Sequence, residues 1–191
     1  MTKRVFFRKG THVGLALLEE TDVPFCVVAL NDESVTRNLL RRLPLNYAEE
    51  REWIANLHRH TGTDQVFGIA VVETGELIGT MGLHHIDWIS RTATTGAWIA
   101  ADEHRGKGFG SEAKILLLEY AFNTLGLRKI NSFVLASNKR SRKYNERCGY
   151  RIEGSQKHQV FVAGKYVDQL CMGLFEEDFL LIWKKYLDER T

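Results

Sequence analysis

The segment Arg105-Gly106-Lys107-Gly108-Phe109-Gly110-Ser111 decides the reading of this chain. It joins an expected strand, Thr92–Ile99, to an expected long helix, Ser111–Leu125. Three glycines within five residues let the backbone take positive φ values and approach a ligand closely. The unpaired amides of the first helical turn, and the helix dipole behind them, favour negative charge at that point. Arg105 and Lys107 add positive charge. The segment therefore reads as a pyrophosphate cradle. A P-loop would need G-x-x-x-x-G-K-[ST], which occurs nowhere in the chain. Gly108-x-Gly110-x-x-Ala113 fits the looser dinucleotide pattern, but that pattern expects an acidic residue about 20 positions on. Residues 128–136 contain none, which argues against a nicotinamide-dependent enzyme.

Outward from this loop, the pattern is mixed α/β. On the N-terminal side, Val13–Leu18 reads as a strand. Thr21 reads as an N-cap before a helix running to Leu30, with Pro24 in its first turn. Short helices are expected over Glu33–Leu40 and Tyr47–His60, either side of Pro44. Val66–Val72 and Leu77–Leu83 form a hairpin across Glu73–Glu76. On the C-terminal side, Ala113, Leu116, Leu117, Tyr120 and Ala121 share one helical face. Lys129–Leu135 is a strand, and Lys139–Arg147 a helix closed by Gly149. A second hairpin, Tyr150–Val162 with Tyr166–Leu174, turns at Ala163-Gly164-Lys165, and Glu176–Leu187 is a terminal helix. The 92–135 crossover makes its two strands parallel; the rest of the sheet is antiparallel. The first twelve residues are expected to be loosely held.

With 191 residues, 44% hydrophobic and 26% charged, residues 1–191 read as one soluble domain with a real core. A net charge of +2 is too weak to imply nucleic acid, and no apolar run is long enough to span a membrane. The N-terminus lacks the features of a signal peptide. Cys26, Cys148 and Cys171 are odd in number and far apart, as in a reducing cytoplasm. His58-x-His60 and His84-His85 have poor metal geometry, and no cysteine pair has zinc spacing, so no metal is expected. No covalent nucleophile is evident, and Cys148 reads as a small buried residue.

The loop's R-x-x-G-x-G form, carried by Arg105, Gly108 and Gly110, resembles the acetyl-coenzyme A signature of the GNAT acetyltransferases. The blocks GAWIAADEHRGKGFGSEA, ASNKRSRKYNERCGYRIEG and GKYVDQLCMGL follow in the order of that family's RimJ/RimL-type branch. The resemblance implies a GNAT fold: a twisted, mostly antiparallel sheet flanked by helices, with one splayed parallel strand pair. It implies acetyl-CoA bound by the Arg105–Ser111 loop and by Asn138, which also reads as an N-cap. Backbone near Trp98 and Ile99 would pair with the pantetheine arm, and an N–H there would stabilise the oxyanion. Transfer would be direct, in a ternary complex, to a primary amine: a protein N-terminus, a polyamine, an amino sugar or an aminoglycoside. The branch points first to a protein acceptor.

For the proton donor, many GNAT enzymes place a tyrosine four residues before the glycine that closes this helix. Here that position is Asn145. Tyr144 stands one residue, or about 100°, away. The branch's N-x-x-S is matched by Asn138 and Ser141, so Ser141 is the first candidate and Tyr144 the second. A thiol with pKa about 8.5 leaves more readily than an amine with about 10.4, so a weak acid slows the reaction without abolishing it. The branch's proposed basic carboxylate falls on Val160. His158, Glu33, His84, His85, Asp168 or a water chain remain as routes for the amine's proton. A non-catalytic acyl-CoA-binding or sensing domain is the alternative, and a homodimer is in keeping with relatives of this kind.

Overall fold

The computed structural model describes residues 4–39, 43–57 and 62–190. Strands β1 (Phe6–Lys9), β2 (Val13–Ala16), β3 (Gln65–Val71), β4 (Leu77–Asp87), β5 (Thr92–Ile99), β6 (Lys129–Leu135), β7 (Arg151–Val162) and β8 (Lys165–Phe175) form one sheet. Their order is β1-β2-β3-β4-β5-β6-β8-β7. Every neighbouring pair is antiparallel except β5 with β6. The expected N-terminal looseness does not extend to Phe6–Lys9, which pairs with β2.

Side-chain alternation along β3 separates two cores. Phe67 and Ile69 join a cluster that includes Leu117 and Leu118 of α4 (Phe109–Glu119) and Phe179 of α6 (Glu176–Asp188). Val66 joins the other, with Val27 of α1 (Val23–Asn31) and Ile54 of α3 (Tyr47–Asn56). Helices thus cover both faces of the sheet, as the period of two requires.

Several boundaries differ from expectation. Thr21 is not a cap: Glu19 and Asp22 close a 3-10 turn, and Asp22 precedes α1. The next helix, α2, covers only Glu33–Thr36, capped by Asp32; Leu40 lies outside the described residues, as do His58 and His60. Helix α4 starts at Phe109 and gives way to a π turn over Tyr120–Thr124. The second hairpin turns through Ala163 and Gly164, both at positive φ, as a two-residue turn of right-twisted strands demands.

The decisive feature is a divergence. β5 and β6 pair over three positions only: Thr92–Lys129, Ala93–Ile130 and Thr94–Asn131. Both strands continue, β5 held by β4 as far as Ile99 and β6 by β8 as far as Leu135. Each follows a different neighbour, so a wedge opens between them.

Candidate active site

A cavity of about 550 Å3 occupies this wedge, bounded by Ala97, Trp98 and Ile99 of β5 and by the glycine-rich loop. Gly106 (φ 81°) and Gly108 (φ 87°) are left-handed, and a Cβ at either would meet no atom within 4 Å. These glycines serve the backbone path and leave open space beside it. Gly108 is the N-cap of α4, and the first bond of the helix runs from Glu112 N to Gly108 O at 2.9 Å. The amides of Phe109, Gly110 and Ser111 precede it and have no helical acceptor, so the loop suits a phosphate group.

Arg105 acts differently from expectation. Its Nε and Nη2 donate to the Ile99 carbonyl at 2.9 and 2.7 Å, and Nη2 also donates to Ala100 O at 2.9 Å. Nη1 pairs with Asp102. The guanidinium lines the cavity but fastens the loop to the end of β5. Lys107 and Phe109 do not line the cavity. Phe109 packs on the core instead, near the rings of His12 and His104.

The opposite wall is α5 (Lys139–Arg147). Asn138 caps it, accepting from Ser141 N at 3.0 Å. Asn138, Arg140, Ser141, Tyr144 and Arg147 all line the cavity. Residues 140, 144 and 147 stand at i, i+4 and i+7, one helical stripe. That spacing was the available signal for Arg140 and Arg147, which the motif match missed. These two cations replace the charge expected from Lys107. The Tyr144 hydroxyl is buried without a hydrogen-bond partner, and burial pushes its pKa well above 10. Asn145 does not reach the cavity. It is 1% exposed, and its Nδ2 donates to Ser141 O at 2.9 Å.

A second cavity, about 530 Å3, lies beyond the β5 strand and shares Leu39, Ala97 and Trp98 with the first. Its wall carries Glu49, Glu50, Trp53 and His84. His84 Nδ1 faces Asp64 Oδ1 at 3.1 Å. A Cβ on Gly96 would lie 3.2 Å from His84 Nε2, so the imidazole packs on the β5 backbone next to Ala97. The other expected bases line neither cavity. His85 is exposed at positive φ, in a bulge of β4. Asp168 pairs with Lys157 and accepts from His158 N, on the outer hairpin with Val160. Glu33 is exposed on α2. Among the described residues, no group of three or more His, Cys, Asp or Glu could hold a metal ion, and no helix is long and apolar enough to cross a membrane.

The family model described as an acetyltransferase (GNAT) domain matches residues 12–151. The spermidine N(1)-acetyltransferase of Vibrio cholerae is 32% identical over 173 residues, covering 90% of this chain and 97% of that protein. A prophage-derived, uncharacterized N-acetyltransferase of Bacillus subtilis is 29% identical over 179 residues, covering 93% and 97%. A Bacillus subtilis protein provisionally named a ribosomal N-acetyltransferase is 33% identical over 105 residues, covering 55% and 57%, which loosely supports the RimJ/RimL-type branch. Among solved structures, the Vibrio cholerae spermidine N-acetyltransferase in complex with CoA and spermine superposes with a TM-score of 0.81 at 28% identity, covering 90% of this chain and 99% of that one. A splayed strand pair, a left-handed glycine cradle at a helix start and a match over most of the chain agree: this protein belongs to the GNAT family of N-acetyltransferases and uses acetyl-CoA as its acetyl donor.

Proposed function

We propose that the protein acetylates a primary amine of a small polycation of the polyamine type. The meeting of the two cavities at Leu39, Ala97 and Trp98 carries this reading. One cavity is cationic and fits coenzyme A. The other carries two glutamates and a tryptophan, the chemistry that receives an alkylammonium chain. The similarity to spermidine acetyltransferases supports the same acceptor class. Residues 1–191 then act as one catalytic domain, which the single eight-stranded sheet supports. A cytoplasmic setting belongs to the same reading, in keeping with three free cysteines.

In this arrangement the thioester supplies an activated acetyl group, and the protein moves the protons. The amides at the start of α4, with Arg140 and Arg147, hold the phosphates. Asp64 fixes Nδ1 of His84, leaving Nε2 to take a proton from the substrate ammonium, whose freed amine lone pair then attacks the thioester carbonyl. Ser141 and Tyr144 form part of the other wall, with the Tyr144 hydroxyl itself buried. Asn145 Nδ2 donates to Ser141 Oγ at 3.5 Å, so Ser141 keeps its own proton free just as Tyr144 does; of the two hydroxyls the phenol is the stronger acid. Tyr144 is therefore assigned as the donor to the leaving sulfur.

Thiol release from acetyl-CoA should be measured with spermidine, glucosamine, an aminoglycoside and a short peptide with a free N-terminus. Spermidine is expected to be turned over best, with a KM raised by Glu49→Gln. Turnover of the peptide alone, or silence on all four, would sink this assignment.

A further inference from the structure

Lys114 stands in the middle of α4 and is 2% exposed, in a setting where lysine is rare. Its Nζ donates to Thr95 Oγ1 at 2.6 Å. That oxygen also lies 3.3 Å from the Asn131 carbonyl and 3.1 Å from the Tyr150 hydroxyl. One arrangement satisfies all of them: Thr95 donates to Asn131 and accepts from Lys114 and Tyr150. Thr95 directly follows the last parallel pair, Thr94–Asn131. The lysine is thus fixed at the apex of the wedge, where β5 and β6 part.

Aromatic faces surround it. Nζ lies 5.3 Å from the ring centre of Tyr144 and 5.0 Å from that of Tyr150, within range of a cation–π contact. The titratable groups facing it are Tyr144 from α5, Cys148 at the C-cap of that helix and Tyr150 ahead of β7. Thr95, from β5, is uncharged, and no carboxylate among the described residues acts on it. An unpaired buried ammonium costs stability, and such placements cluster where a charge acts on a reacting neighbour. The neighbour here is Tyr144, whose ring edge borders Gly110 in the cofactor cavity.

We propose that Lys114 is a positioning residue of the transfer site: lodged on Thr95 at the apex of the wedge, it holds the Tyr144 ring against the cofactor wall and favours release of the Tyr144 hydroxyl proton. This rests on Tyr144 being the proton donor. As the carbon–sulfur bond breaks, its electron pair stays on sulfur. The Oη–H bond of Tyr144 breaks and the proton passes to that sulfur. The phenolate left behind has the Lys114 ammonium over its ring, 5.3 Å from the centre, until a solvent proton restores it. Burial, with Cys148 and Tyr150 nearby, makes Tyr144 a poor acid; the ammonium 5.3 Å from its ring centre is placed to favour the phenolate. Lys114 itself, lowered by burial to about 8, keeps its charge near neutral pH and loses it above.

The test uses the full chain, its Lys114→Met, Lys114→Gln and Tyr144→Phe variants, and the Lys114→Met/Tyr144→Phe pair. Titration of bound coenzyme A, followed by thiolate absorbance, reads the proton-donating power of the wall without turnover. The bound thiol should ionise about one pH unit higher in Lys114→Met than in wild type. It should move no further when the lysine is replaced in the Tyr144→Phe background. Turnover should fall about ten- to a hundredfold in Lys114→Met with little change in KM for acetyl-CoA. Its decline above pH about 8 should vanish in that variant. Wild-type behaviour of Tyr144→Phe would sink the donor assignment. Impaired Tyr144→Phe with wild-type Lys114→Met would sink the role of Lys114 alone. Equal losses from replacing Lys114 with and without Tyr144, or failure of both lysine variants to fold, would make the lysine structural and overturn the proposal.

Discussion

Arg105 clasps the carbonyl of Ile99 with two of its nitrogens, at 2.9 and 2.7 Å. The signature arginine of the loop thus acts on the protein's own backbone. It ties the loop to the end of the strand that lines the first cavity.

Arg105→Ala should therefore loosen the loop and raise KM for acetyl-CoA about tenfold, the scale of losing a charge-assisted contact. The rate at saturating cofactor should change less. Arg105→Lys should recover little, because an ammonium cannot reproduce the planar fork that spans Ile99 and Ala100. Steady-state kinetics on the two variants decide the matter; an unchanged KM in the alanine variant would contradict the tether.

Gly108 separates backbone strain from charge. At φ 87° with empty space around its Cβ position, Gly108→Ala meets no clash and carries only the left-handed penalty of about 1–2 kcal/mol. Acetyl-CoA affinity should weaken about tenfold by calorimetry. Gly108→Glu adds a carboxylate where phosphates are expected and should abolish detectable binding. Equal effects of the two changes would mean that charge at this point is irrelevant.

Much of this was legible in the chain and some was not, for physical reasons. Thr92–Ile99, Lys129–Leu135 and Lys139–Arg147 fall where their patterns place them, because glycine, polar turns or an asparagine cap mark their ends. The cradle glycines are legible because only glycine takes left-handed φ cheaply. Arg105 was legible as a residue but not in its role, since nothing local says whether a guanidinium faces solvent or its own strand. The second cavity draws Glu49 and Trp53 from α3 and His84 from β4, two elements far apart in sequence, so no short motif announces it. Lys114 is the sharpest case. One lysine in an apolar helix reads as its solvent face, and only the fold shows Thr95, Tyr144 and Tyr150 closing around it.

His84 and Asp64 predict a pH signature. An alkylammonium with pKa about 10.4 is almost fully protonated at neutral pH, so a base matters most there. His84→Gln should lower kcat/KM for the amine about a hundredfold near pH 7 and much less near pH 10. Asp64→Asn should lose less, because it misorients the ring without removing it. A deficit in His84→Gln that stays constant from pH 7 to 10 would remove His84 from proton transfer.

Lys114 makes a prediction that needs neither cofactor nor acceptor. Its pKa falls from 10.5 to about 8, chiefly through burial. Below about pH 8 both folded and unfolded chains carry the proton, and the folded state bears the cost of the buried charge. Between about 8 and 10.5 the unfolded chain binds more protons, so stability rises with pH. The whole interval corresponds to about 3 kcal/mol. Cys26, pushed up from 9.0 to about 12 chiefly by burial, works in the opposite sense above pH 9. There the folded chain holds the extra proton, and stability falls as pH rises. Cys148, raised by burial as well, adds to that fall. The lysine's effect is therefore cleanest between pH 8 and 9. Thermal melts of the apo chain from pH 7 to 9 should show Lys114→Met more stable than wild type at pH 7. The gap should shrink toward pH 9, as the wild-type lysine loses its proton. A gap that stayed constant, or a variant less stable at pH 7, would show that the ammonium is not held against a burial cost and would remove the electrostatic basis of its action on Tyr144.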